Sequence, residues 1–87
     1  MLRMSLVDTL TRRVRDAIPE AEVEARLFSG DDHVEMRVVS PAFAGKSRVA
    51  RHQMVYAALG ELMRGDVHAL ALQTWTPEEW AEKSEEQ

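Results

Sequence analysis

Three histidines, a short run of cations and a complete absence of cysteine define what chemistry this chain can carry. His68 opens an alternating stretch in which Leu70, Leu72 and Thr74 share its parity. A side chain at the first position of a strand can project past the end of the sheet into a loop-lined rim. The plain reading is a strand-start histidine bonded to a neighbour. His33 ends the turn-like stretch Ser29-Gly30-Asp31-Asp32, where side chains are usually solvated. His52 shares a helical stripe with Tyr56 and Leu59, so it reads as a structural, partly buried imidazole with a satisfied ring nitrogen. Without cysteine the chain has no disulfide, no thiol nucleophile and no thiolate metal site of its own. Scattered histidines and few serines give no recognisable triad, and an enzyme is not expected. Gly45-Lys46-Ser47 lacks the upstream glycine of a phosphate-binding loop. Lys46, Arg48 and Arg51 gather at the start of a helix, where the positive dipole end adds to them and anions are favoured. They are either a solvated basic patch or a partner surface.

These residues must be positioned by elements that the hydrophobic periodicity makes visible. Val7, Leu10, Val14, Ala17 and Ile18 recur at helical spacing, Ser5 and Asp8 suit a capping box, and Pro19 cannot continue the helix. Glu22 to Phe28 alternates, with Val23, Ala25 and Leu27 on one face. Val34, Met36 and Val38 alternate in the same way after the turn, which predicts a hairpin closed by Ser40-Pro41. From Ser47 to Met63, Val49, His52, Tyr56, Leu59 and Met63 form an apolar stripe flanked by Val55 and Leu62, which predicts one main helix capped by Gly65. A third strand begins at His68. Thr76-Pro77 with Glu79 predicts a capped short last helix holding Trp80. Trp80 reads as packing of that helix on the sheet, whereas Trp75, near the rim, is a contact residue for a partner. The methionines read as packing residues. The pattern is therefore α+β: helix, strand, strand, helix, strand, helix, with helices on one face of a three-stranded mixed sheet. Residues 1–80 make one domain and residues 81–87 a polar, frayed tail.

Composition narrows the class of function. With 87 residues the chain is near the lower limit for a stable single core, since a domain this small buries only about 60% of its unfolded surface. Its 45% hydrophobic and 30% charged content is ordinary for a globular protein. No apolar run approaches the roughly 20 residues that span a bilayer, and the first residues lack the apolar core of a signal peptide. A cytoplasmic protein with no membrane partner is expected. A net charge of -4 argues against general nucleic-acid binding, although one face can differ from the total.

The second half carries a more specific pattern. Phe43 and Gly45, the Arg51-His52 pair, Val67-His68-Ala69-Leu70, and Thr76-Pro77-Glu78-Glu79-Trp80 follow one another in an order and spacing that resemble the BolA family. The weaker first half also fits, so the resemblance covers nearly the whole chain. It implies a variant of the K-homology fold, which by itself implies no function. It also implies that His68 is a ligand of a 2Fe-2S cluster shared with a monothiol glutaredoxin. Neutral imidazole is a good ligand for iron, and a histidine in place of cysteine raises the cluster's potential. Such a cluster needs four ligands, so the thiolates would come from the glutaredoxin and glutathione. The family's second ligand is a histidine or cysteine in the loop between the first two strands. That loop is short here, and His33 is the only imidazole available, equally matching a non-ligating residue at the start of the second strand. Asp31 or Asp32 would be weaker oxygen ligands. In the family the region of Lys46, Arg48 and Arg51 faces the glutaredoxin and is also where nucleic acid has been proposed to bind. The second glycine of the GxxG clamp is absent. Two functions follow: an iron–sulfur adaptor for a monothiol glutaredoxin, or a DNA-binding regulator of stress response and cell morphology. An interaction module that needs no metal is a third. The free protein is expected to be a monomer or weak homodimer.

Overall fold

Capping and burial together set the element boundaries in the computed structural model, which describes residues 5–27, 33–65 and 69–85. Helix α1, Leu6–Ala17, starts where the Ser5 hydroxyl accepts the Asp8 N–H at 3.1 Å. It ends where Ile18, just before Pro19, turns to extended backbone and donates back to the Val14 carbonyl. Strands β1, Glu22–Leu27, and β2, His33–Val39, pair antiparallel, and β3, Ala69–Trp75, pairs parallel to β2. The order is β1-β2-β3, with β2 at the centre of a mixed sheet. The expected turn at 29–32 lies outside the described residues, as does His68, the expected first residue of the third strand.

One face of β2 presents Val34, Met36 and Val38 to a core built with Leu10, Val14 and Ile18 from the first helix and its end, Phe43, and Val55, Leu59 and Leu62. The other face carries charge: Arg37 pairs with Glu24 at 2.9 Å and Arg26 with Glu35 at 2.6 Å, across the β1–β2 register. Helices α1 and α2, Arg48–Leu59, lie on the apolar face. Between β2 and α2, Ser40 leads into a short 3-10 turn, Pro41–Phe43, and Gly45 takes φ +76°, a left-handed conformation open to glycine.

The main helix differs from its expected length and orientation. It stops at Leu59, because Gly60 adopts φ 54° and ψ -128° while its N–H still donates to the Tyr56 carbonyl. A separate turn, α3, Leu62–Gly65, follows, so Gly65 ends α3 rather than the main helix. The stripe is also rotated. Val49 is 66% exposed and Tyr56 40%, while Val55 and Leu59 are fully buried. Val49-His52-Tyr56 and Val55-Leu59-Leu62 are both consistent with helical spacing, and only the positions of α1 and the sheet select the second. The last helix, α4, Pro77–Glu85, continues past Trp80 into the stretch expected to fray, whose last two residues lie outside the described ones. Among the described residues, no helix is long and apolar enough to cross a membrane.

Candidate functional site

His33 opens β2, half-buried, and its register partner in β3 is Ala69, the residue that follows His68 in the sequence. The strand start that carries one expected imidazole is thus hydrogen-bonded to the strand that follows the other. Among the described residues, no group of three or more His, Cys, Asp or Glu side chains is arranged to hold a metal ion. With no cysteine, His33 and His68 can supply at most half of a four-ligand set. That donor chemistry fits a shared cluster and does not fit one held by this chain alone.

The other expected residues meet at the far end of β3. Ser47 caps α2 by accepting the Ala50 N–H at 3.1 Å, and this fixes the path of Lys46 and Arg48. Their side chains are exposed, and neither has an ion-pair partner among the described residues. Arg51 lies beside them but is mostly buried. Its side chain is only 13% exposed, its Nε donates to the Lys46 carbonyl at 3.0 Å, and its two terminal nitrogens donate to the Glu79 carboxylate at 2.7 and 3.2 Å. A bidentate, charge-assisted pair of this kind is among the stronger polar contacts in proteins. Arg51 therefore ties the start of α2 to the start of α4, which leaves Lys46 and Arg48 as the accessible cations.

Glu79 completes that tie. Its Oε1 also accepts the Thr76 N–H at 2.9 Å, while its own N–H donates to the Thr76 hydroxyl at 3.2 Å, a reciprocal capping box. The Arg51 guanidinium, and then the Thr76 N–H, hold the Glu79 carboxyl at about 2, well below its ordinary 4.5. Sequence spacing revealed the capping role of Glu79. It held no signal for the pairing with Arg51, which spans 28 positions.

A groove of about 520 Å³ runs between the start of α2 and β3, lined by Lys46, Arg48, His52, the Arg51–Glu79 pair and the stretch from Leu72 to Trp75. His52 is half-buried and stands edge-on to Tyr56, with ring centroids 6.5 Å apart. Burial, and to a lesser degree the Arg48 charge, holds its imidazole below the usual 6.5, so it is neutral near pH 7. Its partial burial agrees with the structural reading; a hydrogen bond to its ring nitrogens is not among the contacts of the described residues. Trp75 packs against Trp80 at 5.9 Å, and the Arg37 guanidinium sits 4.1 Å over the Trp80 ring. Register places Arg37 beside Gln73, two residues before Trp75, so this stack belongs to the charged face of the sheet. Leu72, Gln73, Thr74 and Arg37 were not singled out from sequence. Their roles depend on strand pairing, which leaves no local mark.

Comparison with known proteins bears on the whole chain. The model of the BolA-like protein family matches residues 8–79. BolA-like protein 1 of Homo sapiens is 38% identical over 84 residues, covering 97% of this chain and 61% of that protein. The chain thus spans about three fifths of the length of its mammalian relatives. The DNA-binding transcriptional regulator BolA of Vibrio cholerae is 30% identical over 86 residues, covering 99% of this chain and 81% of the relative. The solution structure of mouse BolA1 superimposes with a TM-score of 0.80 at 34% identity, over 97% of this chain and 76% of that one. A family pattern matched from Asp8 to Glu79, on the same arrangement of mixed sheet and helices, means that the chain belongs to the BolA family.

Proposed function

We propose that this chain is a BolA-like adaptor that binds a monothiol glutaredoxin and shares a 2Fe-2S cluster with it, in iron–sulfur trafficking or in sensing iron and stress. Family membership supports the reading, and the observation that carries it is the register of β2 on β3. Ala69, which follows His68 in the sequence, pairs with His33, and the chain has no thiolate to compete with a partner's. A cluster so held supplies one-electron chemistry, at a potential that imidazole ligation raises. His68 and His33 would be its ligands from this side, and the glutaredoxin with glutathione would supply the rest.

Reconstitution of the wild type with a monothiol glutaredoxin, iron, sulfide and glutathione tests this. A heterodimer forms whose visible circular dichroism differs from that of the glutaredoxin homodimer, and His68→Ala reverts it. His33→Ala reports separately whether the second imidazole ligates. An unaltered homodimer spectrum with no complex defeats the adaptor reading.

A second reading rests on the DNA-binding relative from Vibrio cholerae and on the exposed Lys46 and Arg48. Here the chain is a DNA-binding transcriptional regulator whose cations neutralise phosphates. Lys46→Glu with Arg48→Glu then weakens DNA binding and flattens its salt dependence, by a slope of roughly 1 for each phosphate no longer neutralised. Arg51 is left unchanged in this test because its charge is committed to Glu79. His68→Ala leaves DNA binding intact, which separates the two readings.

A further inference from the structure

The two edges of the sheet are built differently. On β1, three of the six residues, Glu22, Glu24 and Arg26, are charged, the common protection of an edge against further pairing. On β3, the run ALALQTW has no charge and no proline, and β3 pairs with β2 alone. The directions of its backbone groups follow from one hydrogen bond. The Trp75 carbonyl accepts the N–H of Ser40, which continues β2, so Trp75, Gln73 and Ala71 direct their polar groups inward. Strand alternation then sends the N–H and C=O of Leu72 and Thr74 to the free edge. No backbone bond from another described segment reaches them. That stretch of edge is one wall of the groove, and Lys46 and Arg48 stand on the other.

We propose that the free edge of β3 at Leu72 and Thr74 docks an extended acidic segment of a partner protein, which joins the sheet as a further strand with its carboxylates on Lys46 and Arg48. An added strand lies about 4.8 Å from its neighbour and sends alternate side chains to opposite faces. One set points toward α2 and the cations, and the other toward Gln73 and Trp75. A peptide matches this edge because it offers donors and acceptors in alternation, whereas a phosphate backbone offers acceptors alone. Charge completes the match, since Arg51 neutralises Glu79 and leaves the groove cationic in a chain of net charge -4. The site lies away from the His33 end of the sheet and does not rest on the cluster reading.

The test titrates the isotopically labelled full chain, free of iron and glutaredoxin, with the capped peptide Val-Glu-Val-Glu-Val-Glu-Val, following amide shifts and exchange. One control peptide is N-methylated at alternate residues, and another carries Lys for Glu. The site is supported when the Glu peptide shifts and protects the amides of Leu72 and Thr74, and N-methylation weakens binding by at least about tenfold. The double variant Lys46→Glu with Arg48→Glu then prefers the Lys peptide. Absence of binding at millimolar peptide, or binding indifferent to N-methylation, overturns the proposal. It is also overturned if the same amides respond to protein concentration alone, which marks pairing with a second copy, or to single-stranded oligothymidylate and not to peptide.

Discussion

Glu79 receives three N–H donors at once, two from Arg51 and one from Thr76, and this concentration of donors is what keeps it ionised. Because its folded value of about 2 lies below the ordinary 4.5, the folded state gains from it above that value. The gain is lost as pH falls from 4.5 toward 2. Glu79 is 43% exposed, so solvent screening limits the effect. Glu79→Gln should cost about 1–2 kcal/mol near neutral pH, from the weakened pair and cap. It should also remove part of the loss of stability between pH 4.5 and 2. Urea unfolding of both proteins at about pH 6 and about pH 2.5 checks this, and equal midpoint differences at the two pH values would show that Arg51 does not hold the carboxyl. The composition of the cap was legible at residue scale. The ion pair was not, since it joins residues 28 positions apart that only the packed fold brings together.

At the scale of elements, α2 shows what periodicity can and cannot specify. Spacings of three and four residues establish that a helix forms, but two overlapping stripes satisfy them, one through Val49 and Tyr56 and one through Val55 and Leu59. The structure buries the second. Val55→Ala should therefore destabilise the domain by about 1–3 kcal/mol, while Val49→Ala should stay within about 0.5 kcal/mol of wild type. Chemical denaturation of the two variants decides it, and a larger loss at position 49 would restore the other stripe. The break after Leu59 has a comparable origin. Gly60 and Gly65 both lie near the end of the pattern, and Gly60 takes the positive φ that stops α2. The capping signals at Ser5 and Thr76 locate two helix starts, because each is a local bond between a hydroxyl and an N–H three residues on.

For the molecule as a whole, Ser40 is the junction. Its N–H donates to the Trp75 carbonyl, its hydroxyl donates to the Pro19 carbonyl at 2.6 Å, and the same hydroxyl accepts from the Ala42 N–H. One buried side chain thus joins the end of β2 to the turn after α1, beside its backbone bond to β3. Ser40→Ala leaves the Pro19 carbonyl without that donor and should cost about 1–3 kcal/mol. In a domain of this size each kcal/mol lowers the melting temperature by roughly 4–8 °C. A thermal melt unchanged by the substitution would show that water replaces the hydroxyl without penalty. By itself the sequence determined the order of the strands and longer helices, the mixed α+β class, the caps at Ser5 and Thr76 and the family, since each rests on local spacing or on an ordered pattern of residue types. The tertiary structure alone decided which stripe of α2 is buried, that Arg51 clamps Glu79, and that β3 presents an uncharged free edge beside Lys46 and Arg48. Those outcomes depend on how distant segments pack and pair, and the free energy of packing and pairing is set by neighbours that the local sequence does not name.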